Sequence, residues 1–402
     1  MASGFSRITQ KITSTSIKFL DPKNPVEKYF GKYWGYNLTS ENDENVSYYL
    51  FTADFTKKIQ QATEELNKMC LRCTDIAIKD DNILGKFGIP TWMWPHIKKS
   101  WSDWHEGKKH TISGRFDLAS NGNELKLIEY NSDSAGTIVE AALVQDKWAL
   151  SSGCNIGRSS GENLQQLIAT ECKTAYSGFV HIMIDSDPEE IIISHLMQQI
   201  FNKIGIKTKT IVGADFESGG DGKYYDHSGN QISQVWKTWS WDTIISNYES
   251  KKSSNKVKIC DVLLDPNIMI MEPLWKTVTS NKAILPMLWE LYPNHEYLLR
   301  TEWSIGEYFQ NKPYVKKPIV GRCGQNVEII GESGSKIAKK DGKFGNRDSI
   351  YQEVFKIIPH SGYYPIIGSW IIGYDYGGFG IREDKKRITE YNSPFACCRI
   401  SE

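Results

Sequence analysis

Hydrophobic and polar positions change their spacing several times along the chain, and each change predicts a different kind of element. Over residues 57–73, apolar residues recur at about helical spacing between charged ones, which predicts an amphipathic helix. Residues 113–118 and 125–131 instead alternate, and the polar run 120–123 between them is rich in turn-forming residues. This pattern predicts two short strands around a turn, followed by a helix over 137–150.

A near-continuous apolar run at residues 179–184 predicts a buried strand. Residues 187–202 have the composition of a helix and residues 207–212 that of a second strand, so the three segments predict a βαβ unit. From about Lys282 onward, strand-like runs alternate with glycine-rich turns. The expected fold class is therefore α/β in the first half and a more antiparallel, α+β arrangement in the second half.

The first twenty residues contain Arg7, Lys11 and Lys18, several serines and threonines, and no acid before Asp21. This composition predicts a frayed and solvated N-terminus, with an organellar transit peptide as the alternative. The compact apolar segment of a secretory signal is absent from it, so a cytoplasmic protein is expected.

Composition narrows the classes of function. Among 402 residues, 48 are basic and 48 are acidic, and no long basic run is present, so no nucleic-acid partner is expected. No apolar stretch reaches about 18 residues, so no membrane-spanning helix is expected either. Eight cysteines without a secretory signal predict reduced thiols. Cys70 and Cys73 are interpreted as core or surface residues of a helix, because nothing nearby completes a zinc site.

The predicted hairpin carries four polar side chains that suit a magnesium–phosphate site if they meet on one face. Arg115 and Asp117 share a face of the first strand, and Glu129 and Asn131 share a face of the second, because side chains alternate with period two. Carboxylate and amide oxygens are hard ligands of the kind that Mg²⁺ prefers. An arginine can stabilise the charge on a transferring phosphoryl group.

Whether these side chains meet depends on the register of the hairpin. A plain two-residue turn at 121–122 pairs Asp117 with Lys126 and puts Asp117 and Glu129 on opposite faces. An odd-length loop or a bulge is required to bring Asp117 near Glu129. The alternative interpretation is a solvated hairpin with ordinary surface charges.

The segment 129–136, preceded by 114–117, resembles the synthetase part of the glutathionylspermidine synthase family. Further segments match the same family in the same order, and they are 187–190, 235–243, 272–275, 281–286, 317–326 and 377–382. The resemblance runs from about residue 92 to residue 396. It implies an ATP-grasp fold with a preceding βαβ lobe, similar to a preATP-grasp domain.

The same resemblance implies a ligase that requires ATP and Mg²⁺. Enzymes of this family phosphorylate a carboxylate with ATP, and an amine then displaces phosphate to leave an amide. The carboxylate is expected to be the glycine end of glutathione, and the amine is expected to belong to a polyamine, spermidine. A homodimer is left open as the assembly.

Carried over position by position, the resemblance also implies roles for single residues. Asp117, Glu129 and Asn131 are expected to bind magnesium, and Arg115 is expected to be the catalytic residue that stabilises the acyl-phosphate transition state. The residues expected to contact ATP are Arg115, Lys282, Lys317, Gly324 and Ile366. The residues expected to hold glutathione are Ser134, Glu189, Glu190, Thr238, Thr243, Arg322 and Arg382. No general base is predicted, since none of the eight histidines stands out.

Two positions depart from the family pattern. Gly136 stands where a hydroxyl is expected to bind glutathione, a contact that Thr137 could replace. Tyr391 stands where a further lysine is expected to contact the nucleotide. Two other functions therefore stay open. One is a ligase of the same fold for a different acid or amine, and the other is a non-catalytic nucleotide- or thiol-binding protein.

Three segments are expected. Residues 1–112 form a largely helical N-terminal segment packed on the ligase. Residues 113–275 form the metal- and substrate-binding hairpin with the preATP-grasp-like lobe, and residues 276–402 form the ATP-grasp nucleotide-binding lobe. No N-terminal amidase domain is expected, since the family matches begin within the first hundred residues.

Overall fold

The structure is a computed structural model that describes residues 3–11, 19–35, 38, 45–108, 110–250 and 258–402. Lys18, one of the basic residues of the N-terminal set, lies outside these residues. The α-helices are α1 (Pro25–Trp34), α2 (Ala53–Lys79), α3 (Asp81–Gly85), α4 (Trp94–His105), α5 (Gln145–Ser152), α6 (Leu164–Ala175), α7 (Pro188–Lys203), α8 (Trp241–Ser250), α9 (Ile259–Leu263), α10 (Lys276–Thr279) and α11 (Ile284–Leu291). Short 3₁₀ turns lie at Thr91–Met93, Glu307–Phe309 and Glu332–Gly334, and a π-helical turn lies at Glu140–Val144.

The strands form four larger sheets and one small hairpin. They are β1 (Phe5–Lys11), β2 (Asn45–Phe51), β3 (Ser113–Ser120), β4 (Leu125–Asn131), β5 (Arg158–Ser159), β6 (Phe179–Ile184), β7 (Lys207–Val212), β8 (Glu217–Ser218), β9 (Tyr224–Tyr225), β10 (Gln234–Lys237), β11 (Met269–Met271), β12 (Thr301–Glu302), β13 (Tyr314–Pro318), β14 (Glu328–Ile330), β15 (Lys336–Lys339), β16 (Ser349–Glu353), β17 (Tyr364–Ile372), β18 (Asp375–Asp384), β19 (Phe395–Ala396) and β20 (Cys398–Ile400). Their orders are β1-β2-β20-β5, β11-β10-β6-β7, β12-β16-β13-β14-β15, β19-β18-β17-β3-β4 and β8-β9.

The predicted βαβ unit is confirmed. β6 and β7 pair in parallel from Phe179 opposite Lys207 onward, and α7 connects them. β6 is buried because β10 and β7 flank it and α7 packs against it. The prediction of an antiparallel second half is also confirmed, since β12 to β18 pair only antiparallel with their neighbours. The chain therefore has a mixed α and β fold.

The helix predicted over residues 57–73 is confirmed as the central part of α2, which extends beyond it at both ends. Thr52 caps α2, because its side chain accepts a hydrogen bond from the Phe55 N–H at 3.2 Å. Cys70 and Cys73 lie on the buried face of this helix and belong to the core, which confirms their structural interpretation. All eight cysteines are free thiols. No helix of the described residues combines the length and apolar character needed to cross a bilayer.

The prediction of a frayed N-terminus is wrong for the described residues 5–11. β1 pairs antiparallel with β2 along its whole length, and Phe5 is buried against Tyr49 and Phe51. Arg7 forms a two-pronged ion pair with the buried Glu383, with nitrogen–oxygen distances of 2.9 and 3.0 Å. Composition alone missed this strand, because it depends on distant residues. Its partner strand β2 begins about forty residues later, and Glu383, the ion-pair partner of Arg7, lies near the end of the chain.

The sheet that carries the predicted metal residues crosses the boundary expected between residues 275 and 276. β3 and β4 come from one side of that boundary, whereas β17 and β18 come from the other. β17 pairs with β3 over seven residues, from Ile366 opposite Ala119 to Ile372 opposite Ser113. The hairpin is therefore hydrogen bonded to strands from the segment expected to bind the nucleotide. The division into three segments stays a prediction.

Candidate functional site

The β3–β4 hairpin has the bulged register that a shared metal site requires. Asp117 lies opposite Glu129, and Arg115 lies opposite Asn131. The register shifts after Asp117, because Leu118 pairs with Leu127 and Ile128 is the extra residue. The plain register is therefore excluded, and both acids face the same side of the sheet.

Arg115 is held rigidly beside this pair of acids. Its Nε and Nη2 donate to the two oxygens of Asp117 at 2.7 and 3.1 Å. Its Nη1 donates to the Gly136 carbonyl at 2.7 Å and to the Thr137 hydroxyl at 3.2 Å. Burial lowers the pKa of Arg115, but the Asp117 carboxylate outweighs this effect and raises the pKa above its ordinary value. Arg115 is therefore a fixed, permanently charged group at the base of the site.

Glycine opposite Asp117 makes room for this arginine. Gly368 of β17 pairs with Asp117, and a Cβ at Gly368 would lie 2.8 Å from Cδ of Arg115.

The pairing of β17 with β18 extends the face that carries these residues. On β18, Gly380 pairs with Gly368, and Arg382 pairs with Ile366. Paired residues point to the same face of a sheet. Arg115, Asp117, Ile366 and Arg382 therefore share one face, and Phe379 and Ile381 point into the core on the other.

Two buried lysines support the hairpin from the third segment of the chain. Nζ of Lys282 lies 2.7 Å from Oε1 of Glu129 and donates to the Gly321 carbonyl at 2.9 Å. Nζ of Lys317 donates to the carbonyl of the bulged Ile128 at 2.9 Å and to Gln352 at 2.7 Å. Burial lowers the pKa of Lys317 to about 8. Lys282 thus contacts the side chain of Glu129, and Lys317 contacts the backbone of the bulged residue before it.

A cavity of about 870 Å³ lies beside the hairpin. It gathers most of the residues that the sequence analysis singled out. The predicted site residues that line it are Arg115, Asp117, Glu129, Asn131, Ser134, Glu189, Glu190, Thr238, Arg322, Gly324 and Arg382. Lys282, Ile366 and Thr243 do not line it, although each contacts or pairs with a residue that does. Lys317 does not line it either, and it donates to Ile128, the residue before the lining Glu129.

The residues expected to hold glutathione come from five separate parts of the chain. Glu190 accepts hydrogen bonds from the Asp185 N–H at 2.6 Å and from the hydroxyl of Thr238. Burial raises the pKa of Glu190. Arg322 donates to the hydroxyls of Ser240 and Thr243 at the start of α8. In this conformation the hydroxyl of Thr238 is hydrogen bonded to Glu190, and the hydroxyls of Ser240 and Thr243 are hydrogen bonded to Arg322.

One peptide group connects Arg115 with Glu189. The Gly136 carbonyl accepts from Arg115, and the following Thr137 N–H donates to Oε1 of Glu189 at 3.0 Å. A Cβ at Gly136 would lie 2.1 Å from that oxygen. The departure at this position has a physical reason, because only glycine lets Glu189 approach the chain so closely. The neighbouring Thr137 hydroxyl accepts a hydrogen bond from Arg115, and whether it replaces the expected contact stays a prediction.

The departure at Tyr391 also has a defined environment. Arg382 donates to backbone carbonyls of Glu390, Tyr391 and Ser393, which fixes this segment over the cavity. The Tyr391 hydroxyl donates to Asp187 at 3.4 Å. Burial and the Asp187 charge raise the pKa of Tyr391 to about 12. A neutral phenol therefore occupies the position where the family pattern has a cation.

Several charged residues of the cavity were missed by the sequence analysis. Arg347 donates to Asp242 at 3.0 Å and to Ser246 at 3.2 Å, which connects the loop before β16 to α8. Lys237 is buried with its Nζ 4.5 Å from the ring centroid of Trp241. Glu140 belongs to the π-helical turn and also lines the cavity. The local sequence around these residues gave no signal that the fold would bring them to one cavity.

The residues beside the bulge fit a magnesium ion that is shared with a phosphate. Within the described residues, no group of three or more His, Cys, Asp or Glu side chains is arranged to hold a metal alone. Asp117 and Glu129 supply two carboxylates, and Asn131 donates to Asp117 through Nδ2 at 3.2 Å, which leaves its amide oxygen available. Two carboxylates with an amide oxygen suit Mg²⁺, which usually completes its shell with water and phosphate.

Comparisons with known proteins find a family model and several curated relatives that match most of the chain. A model of the family described as glutathionylspermidine synthase preATP-grasp matches residues 21–401. Trypanothione synthetase of Crithidia fasciculata is 36% identical over 98% of this chain and 63% of its own length. The bifunctional glutathionylspermidine synthetase/amidase of Escherichia coli (strain K12) is 34% identical over 94% of this chain and 62% of its own. Glutathionylspermidine synthase of Crithidia fasciculata is 27% identical over 90% of this chain and 59% of its own. The chain thus spans about three fifths of the length of these curated relatives.

Proposed function

The chain belongs to the glutathionylspermidine synthase preATP-grasp family, and from this premise we propose that it is an ATP- and Mg²⁺-dependent carboxylate–amine ligase with an ATP-grasp fold. The reaction joins the glycine carboxylate of glutathione to a primary amine of a polyamine, spermidine. ATP first phosphorylates the carboxylate, and the amine then displaces phosphate to leave an amide. The products are the conjugate, ADP and phosphate.

The observation that carries this proposal is the bulged pairing of Asp117 with Glu129 beside the fixed Arg115. In our proposal, Asp117, Glu129 and Asn131 hold Mg²⁺, which neutralises phosphate charge during transfer. Arg115 stabilises the charge that develops on the transferring phosphoryl group. Its two bonds to Asp117 keep it in place before the substrates arrive, so little reorganisation is needed.

Contacts with the hairpin and its sheet support the proposed nucleotide residues. Lys282 and Lys317 approach the bulge from the third segment, and Ile366 shares a sheet face with Asp117. Gly324 lines the cavity in a loop where a backbone can approach a nucleotide. We assign phosphate contacts to the two lysines and an adenine contact to Ile366.

The proposed glutathione contacts suit a molecule with two carboxylates and one ammonium group. Arg322 and Arg382 would meet carboxylates, and Glu189 and Glu190 would meet the ammonium group. Ser134, Thr238 and Thr243 supply hydroxyl groups beside them. The hydrogen bonds that Arg322 and Glu190 now make to hydroxyls would be exchanged for bonds to the substrate.

The deciding experiment measures phosphate release from ATP and Mg²⁺ with glutathione and spermidine added singly and together, followed by mass analysis of the products. Release that requires both substrates, with a conjugate one water lighter than their sum, supports the proposal. Asp117→Asn should abolish release, and Asp81→Asn, an exposed aspartate, should leave it unchanged.

Two other results would change the substrate in the proposal, and a third would refute it. Release with glutathione alone, without conjugate, would keep the activating step and point to another amine. Release with other acids only would point to a same-fold ligase whose pocket Gly136 has reshaped. Binding of ATP without any release would leave a nucleotide- or thiol-binding protein and refute the ligase.

A further inference from the structure

Amide formation from an acyl phosphate requires an uncharged amine, and the cavity must therefore hold an acceptor for a proton. A primary alkyl amine has a pKa near 10, like that of lysine, so it arrives protonated at neutral pH. No histidine lines the cavity among the described residues. Besides the carboxylates, Lys237, Cys323 and Tyr391 line the cavity. Lys237 donates to the Trp239 carbonyl at 2.7 Å, and burial raises the pKa of the Cys323 thiol and of the Tyr391 phenol, so these groups hold their protons at neutral pH. The general base is therefore expected among the carboxylates.

Most carboxylates of the cavity already have partners. Asp117 and Glu129 pair with Arg115 and Lys282. The others accept hydrogen bonds from backbone or side-chain groups, and they are Asp133, Asp185, Asp187, Glu189, Glu190, Asp242 and Glu272. The oxygens of these carboxylates are occupied by donors of the protein, so a substrate proton would compete with a hydrogen bond or an ion pair that is already present.

Glu140 differs from them. It lines the cavity, and among the described residues its carboxylate has no ion pair or hydrogen bond with another residue. Burial and then the charge of Glu189 raise the pKa of Glu140 to about 7, although its own backbone N–H, Arg382 and Arg115 act in the opposite direction. A carboxylate whose pKa lies close to neutral pH can both accept and release a proton there.

Glu140 lines the same cavity as Arg115, Glu189 and Arg382. It begins the π-helical turn Glu140–Val144, an element that occurs frequently at functional sites. Three residues earlier, Thr137 contacts Arg115 through its hydroxyl and Glu189 through its N–H. The charged side chains that act on Glu140 therefore come from β3, α7 and β18, which surround the cavity.

We propose that Glu140 is the general base of the amide-forming step, accepting the proton of the attacking amine. The ammonium group first gives one proton to the Glu140 carboxylate, which later releases it to solvent. The bond from nitrogen to the acyl carbon then forms as the bond from that carbon to the phosphate oxygen breaks. The phosphate leaves with the electron pair and takes up the second proton from nitrogen, which leaves a neutral amide. This assignment rests on the ligase function proposed above.

The test compares two nucleophiles in wild type and in Glu140→Gln. Spermidine must lose a proton before it attacks, whereas hydroxylamine is already uncharged at neutral pH. With spermidine, kcat should fall about 100-fold or more in Glu140→Gln, the usual range for the loss of a general base. Hydroxamate formation from glutathione, ATP and hydroxylamine should stay within about twofold, since proton removal contributes little there.

A pH profile separates this role from a structural one. In wild type, kcat with spermidine should fall as the pH drops below about 7, because Glu140 becomes protonated. Glu140→Gln should lose this dependence, and Glu140→Asp should keep it at a lower rate. Glu171→Gln is the matched control, because Glu171 is also a glutamate whose pKa burial raises, but it lies outside the cavity.

Several outcomes would overturn the assignment. Equal losses with both nucleophiles would make Glu140 a structural residue, and a raised KM for spermidine with unchanged kcat would make it a binding residue only. An unchanged kcat with spermidine would remove its role altogether. If wild type forms neither conjugate nor hydroxamate, the ligase function itself fails, and the assignment of Glu140 fails with it.

Discussion

Arg115 and Glu189 contact opposite ends of a single peptide group. Nη1 of Arg115 donates to the Gly136 carbonyl at 2.7 Å, and the Thr137 N–H donates to Oε1 of Glu189 at 3.0 Å. A displacement of either side chain therefore moves the hydrogen-bond partner of the other. Arg115, the proposed catalytic residue, and Glu189, which is proposed to bind the substrate, are therefore coupled through the backbone between them.

This coupling makes Gly136→Ala informative. The added methyl group would lie 2.1 Å from Oε1 of Glu189, so that Glu189 or the chain must move. The blocked atom is the end of a flexible side chain at the cavity, so the free energy of unfolding should change by less than about 1 kcal/mol. We expect KM for the acid substrate to rise about tenfold, which corresponds to about 1.4 kcal/mol of binding. KM for ATP should change little.

Gly220→Ala is the control for that variant, because nothing lies within 4 Å of a Cβ at Gly220. Steady-state kinetics and urea unfolding of both variants measure the two effects. Identical KM values for the acid in Gly136→Ala and wild type would show that the position of Glu189 does not matter for binding.

Arg115→Lys tests the catalytic assignment while keeping the charge. Lysine cannot donate two parallel bonds to Asp117 and also reach the Gly136 carbonyl, as Arg115 does. We expect kcat to fall about 10²- to 10³-fold, as for loss of one preorganised donor. Stabilisation by ATP in a thermal melt should persist, since the lysines remain in place.

The exposed Arg158, which pairs with Glu162, provides the matched control as Arg158→Lys. A wild-type kcat in Arg115→Lys would refute a transition-state role. Loss of both turnover and nucleotide stabilisation would instead indicate that Arg115 mainly shapes the site.

Lys317→Met should alter how stability depends on pH. In the folded protein burial lowers the pKa of Lys317 from 10.5 to about 8. Between these values the unfolded chain binds more protons than the folded chain, so the free energy of unfolding rises with pH. The contribution of Lys317 to this rise is at most about 3 kcal/mol. Lys317→Met should remove it.

Urea unfolding at pH 7.5 and at about pH 10 checks this prediction, and the readout is the change between the two values. Lys336→Met replaces an exposed lysine of the same sheet and should keep the wild-type change. Lys237, whose pKa burial also lowers to about 8, should maintain a smaller rise in Lys317→Met. A change equal to that of wild type would show that Lys317 is not buried as described.

Arg7→Met tests the N-terminal strand. It leaves Glu383 buried with the Tyr49 hydroxyl at 2.8 Å but without its guanidinium partner. Removing one partner of a buried ion pair typically costs about 3–5 kcal/mol. We expect the free energy of unfolding to fall by that amount in a denaturant titration.

Arg158→Met removes an exposed partner of Glu162 and should cost less than about 1 kcal/mol. The double variant Arg7→Met, Glu383→Gln should recover part of the loss, because no buried charge remains unpaired. Equal stabilities of Arg7→Met and wild type would contradict the burial of this pair.

Local patterns were sufficient to predict several parts of the fold. The alternation of polar and apolar residues indicated β3 and β4, and the requirement that Asp117 meet Glu129 indicated the bulge. The apolar run at β6 and the segments after it indicated the βαβ unit. These features depend on residues close together in sequence, so side-chain period and turn chemistry constrain them.

Features that depend on distant partners were not accessible in this way. β1 forms because β2 and Glu383 lie beside it, and nothing within residues 5–11 indicates either. Glu140 resembles a surface charge in a helical segment, and only the assembled cavity shows that Glu189 and Arg382 surround it. Tertiary context decides the burial of a charge, and a single sequence does not contain that context.

The bond between Lys317 and the Ile128 carbonyl also has a consequence for folding fidelity. A hairpin in the plain register would pair Ile128 within the ladder and turn Glu129 toward the other face of the sheet. Lys317 would then keep only Gln352 as an acceptor and Lys282 only the Gly321 carbonyl, so each buried ammonium group would lose one of its two partners. The two lysines thus act as a check on register, and a chain that pairs its strands incorrectly is rejected before it can bind a substrate.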